Sequence, residues 1–224
     1  RGELLFEQYA RGFDADMRHV GWSVTKSALS LMVGIAEKAG EIALSDTICD
    51  HLDIARTENC GITVEQMLTF TTSLRWTETY ADQPPTVSSV ANMLFGAGRL
   101  DAAAFVAGHP PLGEPGTVYD YSSGDSVLLS AVLTAAVEDR WGADFIWDQL
   151  FTPLGMSSAQ ISRDRAGTLL GSSGMAATPR DYARMGYLAL REGCWEGEML
   201  VADDWMARTT TVAPRYLTLS LIHI

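Results

Sequence analysis

The fold of this chain is decided by how Gly21-Trp22-Ser23-Val24-Thr25-Lys26-Ser27 is read. A serine and a lysine three residues apart share one face of a helix, so the amine can reach the hydroxyl. The helix that follows, expected over Ser27 to Ala39, carries no charge until Glu37 and should be buried on every side. Lys38 suits its negative end, and Gly40 supplies a left-handed stop. A serine hydroxyl attacks poorly at neutral pH unless a base takes its proton. A lysine can be that base only where burial or neighbouring charge lowers its pKa from about 10.4. An apolar helix start supplies the burial, and the positive helix end lowers the value further. The chain has two lysines, Lys26 and Lys38, against 14 arginines, which makes a chance Ser-x-x-Lys less common than usual. A polar helix start with a snorkelling lysine is the plain alternative, and this pair alone does not separate the two.

A length of 224 residues with 47% apolar content is enough for a real core, in one large domain or two small ones. No run reaches the roughly 18 apolar residues of a membrane span. The net charge of −12 argues against nucleic acid or an anionic membrane as the main partner. Cys49, Cys60 and Cys194 are an odd, unpatterned set that matches neither a zinc site nor a disulfide framework, with a Cys49–Cys60 bridge as the one open pairing. The chain begins at Arg1 and reads straight into strand-like sequence, as if cut, so periplasm and cytoplasm both stay open.

Along the chain, Gly2 to Tyr9 has the short apolar run of a strand. Gly40 to Asp46 forms a turn toward a short segment ending at Leu52. Thr63 and Gln66 make a capping box that opens a brief helix. The loop after it carries Trp76, Glu78, Tyr80 and Asp82 before Pro84-Pro85, and Trp76 and Tyr80 are candidates for a pocket wall. Helices are expected at Val87 to Phe95 and Asp101 to Ala107, then an irregular connection through His109-Pro110-Pro111 to Pro115-Gly116. That connection delivers Tyr121-Ser122-Ser123 to a second apolar helix, about Asp125 to Glu138, with Ser123 placed to cap it. Further helices are expected at 143 to 151, from Pro179 to about Glu192 behind the cap Thr178, and at Ala202 to Thr209. Gly171 to Gly174 reads as a flexible connection near the rim of a site. The last six residues, Leu219 to Ile224, match the translated end of a transposon-based sequencing adapter and are expected to be a non-native tail, which sets His223 aside.

Ser23-x-x-Lys26 and Tyr121-Ser122-Ser123 stand about a hundred residues apart, each introducing an apolar helix. With Gly61-Ile62-Thr63, Thr72-Ser73-Leu74-Arg75-Trp76, Pro153-Leu154-Gly155-Met156 and Ala177-Thr178-Pro179-Arg180-Asp181-Tyr182, the chain resembles the class C β-lactamase and penicillin-recognising serine hydrolase superfamily. Within its β-lactamase-related branch it is most similar to the 6-aminohexanoate-oligomer hydrolase-like group, by Trp22-Ser23-Val24-Thr25-Lys26-Ser27 and Arg75-Trp76-x-Glu78. The resemblance implies an α+β, β-lactamase/transpeptidase-like fold, with the site between a helical part and an antiparallel sheet. It also implies Ser23 as the acylated nucleophile, Lys26 as its base and Tyr121, preferred over Tyr119, as the proton shuttle. Ser123 stands where the family often has asparagine, as a contact for substrate or for Lys26. Small-molecule amides or esters are the implied substrates, and no cofactor or metal is implied.

The third motif of the family, Lys-Thr-Gly or His-x-Gly on a late strand, does not occur, and with it goes the second oxyanion donor beside the N–H of Ser23. Residues 1–218 are therefore expected to be a partial domain, mainly helical with a small residual antiparallel sheet, inactive alone, and with the sheet face of the Ser23 helix uncovered. A penicillin-binding sensor acylated without turnover, a β-lactamase or DD-peptidase, and a non-catalytic remnant are the alternatives. His19, His51 and His109 come with no Gly-x-Ser-x-Gly elbow, Asp14 and Asp16 are too few for a calcium loop, and Gly171 to Gly174 is no phosphate loop.

Overall fold

A computed structural model describes residues 2–53, 57–80 and 88–211. Strand β1 (His19–Val20) leads through Gly21 into helix α1 (Val24–Lys38), which starts three residues earlier than expected. A short α2 (Ile48–His51) follows, then α3 (Val64–Leu68). As the capping box requires, Gln66 N–H donates to Thr63 Oγ1 and Thr63 N–H to the Gln66 side chain. Helices α4 (Ser89–Phe95) and α5 (Ala102–Ala107) lead to the long α6 (Ser123–Trp141). After a π-helical turn at Trp147–Phe151 come β2 (Gln160–Ile161), β3 (Met175–Ala177), α7 (Pro179–Leu190), the hairpin β4 (Cys194–Trp195) and β5 (Glu198–Met199), and α8 (Trp205–Thr210). Val87, Asp82, Pro84-Pro85 and the expected tail from Leu219 to Ile224 lie outside the described residues.

The fold is α+β and mainly helical, as expected. Its small antiparallel sheet has the order β1-β3-β2, with His19 opposite Ala177 and Gln160 opposite Ala176. The first strand is not the one expected. Gly2 to Tyr9 has a strand's composition, but among the described residues no strand pairs with it. It is tied down instead by Glu7, which accepts from the Arg180 guanidinium at 2.9 Å, while Leu4, Leu5 and Phe6 stay exposed.

The core forms where α1 and α6 cross, because both are apolar nearly all round. Ala28, Met32, Val33 and Ala36 of α1 and Val127, Leu128, Val132, Leu133 and Val137 of α6 have no exposed surface. The uncovered face expected on α1 is therefore absent. Trp205 of α8 lies across it at Gly34, where a Cβ would meet the indole at 2.6 Å, so only glycine admits the ring. Exposed apolar side chains sit earlier instead, at Phe13, Val20, Trp22 and Val24.

Cys49 and Cys60 form a disulfide, the one pairing the sequence left open, although the three cysteines fit no disulfide framework; Cys194 is free. Pairing is arranged by the backbone, since Ile48 N–H donates to Ile62 O at 2.9 Å and Thr47 bridges Thr63, bringing the ends of the loop together.

Candidate active site

Three elements converge on Ser23. The chain enters α1 through Trp22, whose φ of 43° is left-handed and strained for a bulky residue. That turn leaves the Ser23 side chain exposed at the helix mouth. Gly21 is needed just before it: a Cβ there would stand 2.4 Å from the Tyr182 hydroxyl, which donates to His19 O at 3.0 Å. Gly21 N–H and Thr25 Oγ1 are both bonded to Met175 of β3, at 2.8 and 3.1 Å, so the sheet fixes the first turn of α1. The N–H of Ser23 makes no hydrogen bond among the described residues, leaving a helix-start donor beside its own hydroxyl.

One turn on, Lys26 Nζ donates to Ser23 Oγ at 3.3 Å, Ser123 Oγ at 3.2 Å and the carbonyl of Ser172 at 2.9 Å. Burial lowers its pKa from 10.5 to about 8, against the opposing pull of the Glu78 charge. At pH 7 about a tenth of such amines are neutral, against about three in ten thousand at the ordinary value. A neutral amine keeps two N–H bonds for Ser172 O and Ser123 Oγ and can turn its lone pair to Ser23.

From the loop before α6, Tyr121 OH donates to Ser23 Oγ at 2.7 Å, and Lys26 Nζ lies 5.0 Å from the centre of its ring. Phe70 packs on the same ring at 5.0 Å. Burial pushes the phenol's pKa up, with the Ser23 hydrogen bond pulling the other way, so it stays a donor at neutral pH. Tyr121 rather than Tyr119 is the phenol that reaches the serine.

Two expectations shift. Ser122, not Ser123, caps α6, its Oγ accepting from Asp125 N–H at 3.0 Å. Ser123, buried in the first turn, instead stands between Lys26 and Glu78, donating to Glu78 Oε1 at 2.5 Å. Trp76, expected in a pocket wall, lies beneath the site. It is 7% exposed, its ring fills the space that a Cβ on Gly124 would need, and its indole N–H donates to Glu78 Oε2 at 2.6 Å. Tyr80 is 60% exposed, with its hydroxyl on Glu78 Oε1 at 3.0 Å.

Two groups are added that had no expected role in the site. Glu78 accepts from Trp76, Tyr80, the Ser123 hydroxyl and the Ser123 N–H, and so ties the aromatic loop to the start of α6. Ser172, fully buried, gives Lys26 its shortest bond through a backbone carbonyl. Gly171 to Gly174 thus lies under the lysine rather than at a rim. Below, Thr72 donates to the buried Asp125 carboxylate at 3.0 Å, and burial pushes that acid's pKa up to about 7. The histidines sit elsewhere: His51 on Asp46 at 3.1 Å, His109 on Phe105 O at 2.9 Å, His19 stacked on Phe13. Among the described residues no cluster of His, Cys, Asp or Glu is fit to hold a metal, and no helix is long and apolar enough to cross a membrane.

The beta-lactamase family pattern matches residues 1–216, and the chain belongs to that family. A 6-aminohexanoate-dimer hydrolase of Paenarthrobacter ureafaciens is 26% identical over 212 residues, covering 91% of this chain and 53% of that protein. The chain therefore spans about half the length of this curated relative. Among solved structures, a candidate 6-aminohexanoate-dimer hydrolase from Bacillus anthracis superposes with a TM-score of 0.76 at 18% identity, over 91% of this chain and 55% of that one. A D-stereospecific amidohydrolase from Streptomyces sp. gives 0.65 at 21% identity, over 92% and 70%. These likenesses carry the β-lactamase-like fold, of which the described chain holds the helical part and a small sheet.

Proposed function

We propose that the protein is a serine hydrolase that cleaves small-molecule amides or esters through an acyl-enzyme on Ser23. The observation that carries the reading is that one oxygen, Ser23 Oγ, accepts from both the Lys26 amine and the Tyr121 phenol. In the cycle, neutral Lys26 takes the Ser23 proton as Oγ attacks the carbonyl carbon. The tetrahedral oxyanion forms near the N–H of Ser23. Tyr121 then passes a proton to the leaving nitrogen or oxygen and is reprotonated from the Lys26 ammonium. Water releases the acyl group by the same steps in reverse. Ser123 and Glu78 hold the lysine, and Tyr80 is the exposed aromatic offered to substrate. The relatives' names, a dimer hydrolase of an amino acid and an amidohydrolase, favour an amide over an ester.

Because residues 1–218 are expected to be inactive alone, the test is hydrolysis of a chromogenic ester and the matching anilide by the full-length protein that contains them and by its Ser23→Ala variant. Turnover of both, lost in the variant, is expected. A variant with unchanged turnover would remove Ser23 from the reaction, and a single burst without steady release would favour an acylated sensor.

A further inference from the structure

Away from the Ser23 cluster, a cavity of about 360 Å³ opens between α4 with the turn that follows it and the segment joining β2 to β3. Met93, Leu94, Leu100 and Leu170 make its apolar lining. Its charged lining is Arg99, Arg163 and Arg165 with Asp164, three guanidiniums to one carboxylate on a chain of net charge −12. That carboxylate is already engaged by the backbone. Its Oδ2 accepts from Ala102 N–H at 2.7 Å and its Oδ1 from Thr168 N–H at 2.8 Å, which shapes the loop. Arg163 donates to the carbonyls of Gly167, at 2.8 Å, and Ala143, so it is held in place without a negative partner among the described residues. Among the described residues no carboxylate forms an ion pair with Arg99, Arg163 or Arg165. Arg99 and Arg165 make no side-chain hydrogen bond there either. Their backbones are adjacent, Arg165 N–H donating to Arg99 O at 3.5 Å.

Two guanidiniums with no partner among the described residues, lining a half-apolar cavity, make a specific demand. Guanidinium forks match the two oxygens of a carboxylate, and the fixed charge of Arg163 adds attraction for any anion. An inorganic anion would leave Met93, Leu94, Leu100 and Leu170 against water, whereas an alkyl chain would cover them. We propose that this cavity binds an aliphatic carboxylate, its head on Arg99 and Arg165 and its chain along the leucines and Met93. No lining residue belongs to the Ser23 cluster, so this site and the hydrolytic reading can fail separately. The segment continues from Leu170 to Ser172, whose carbonyl braces Lys26, so an occupant would sit beside that support.

Calorimetric titration of the protein with sodium hexanoate tests the proposal, with inorganic phosphate and hexan-1-ol as paired probes. Hexanoate should bind at one site and lose at least about tenfold in affinity in the Arg99→Ala/Arg165→Ala double variant, with phosphate and hexanol each at least about tenfold weaker than hexanoate on the unaltered protein. Both arginines are exposed, so the variant should keep the unaltered melting temperature. Leu100→Ser, at a half-exposed position, should weaken hexanoate and leave phosphate unchanged. No saturable heat up to about 10 mM hexanoate, affinity unchanged in the double variant, or phosphate binding as well as hexanoate would each overturn it.

Discussion

Replacing Lys26 with methionine keeps a stem of similar length and removes the charge, which separates the cost of burying the amine from its bonds. Burial lowers the amine's pKa from 10.5 to about 8, so between those values the folded protein binds fewer protons than the unfolded chain. Stability must then rise with pH across that window: the penalty is fully present below about 8 and gone above 10.5. A depression of this size corresponds to about 3 kcal/mol, of which about 2 kcal/mol is recovered on going from pH 7 to about 9.5. The variant also loses the bonds to Ser172 O at 2.9 Å and Ser123 Oγ at 3.2 Å, but it lacks them at both pH values. Urea unfolding of both proteins at the two pH values should show the unaltered protein gaining about 2 kcal/mol on Lys26→Met. In the same variant acylation should slow by about 10²–10⁴. Parallel stability profiles would mean that the amine titrates as it does in water, and the argument for a lysine base would fail.

Tyr121→Phe keeps the ring against Phe70 and deletes the donor to Ser23, so turnover should fall by about 10²–10³ with an unchanged urea midpoint; unaltered turnover would exclude the phenol. Glu78→Gln offers one acceptor oxygen to groups that now share two, and should cost about 1–3 kcal/mol. Because the Glu78 charge raises the pKa of Lys26, the acid limb of the acylation profile should move to lower pH in that variant, and a move upward would contradict the arrangement. Reducing Cys49–Cys60, which closes a loop of 11 residues' separation, should lower stability by about 2–3 kcal/mol, read from melts with and without reductant.

The parts legible from sequence are those set by local chemistry. The Thr63 and Thr178 caps, the proline in the first turn of α7, and the uncharged runs of α1 and α6 each determine structure over a few residues, and the serine, lysine and tyrosine stand at the ends of those runs. What was missed depends on partners distant in the chain. The Ser172 contribution is a carbonyl, which every residue has, so no side chain announces it. Glu78 lies in a loop whose acidic and aromatic make-up also suits a surface, and the partner that brings it to the site, Ser123, comes from α6. Trp76 resembled a pocket wall because its type fits both a site and a core; Gly124, 48 positions away, decides for the core. The disulfide follows from backbone pairing around Thr47 and Thr63 rather than from cysteine spacing. Gly2 to Tyr9 has the side chains of a strand but no sheet edge to join among the described residues.

The account rests on Ser23 being an activated nucleophile. Mass spectrometry of the protein after exposure to a fluorophosphonate, with the label mapped to a peptide, tests this most directly. The account predicts one label, on Ser23, forming faster as pH rises through about 8 and nearly absent in Lys26→Met. A label on another residue, or one that forms on Ser23 at the same rate without the lysine, would contradict it.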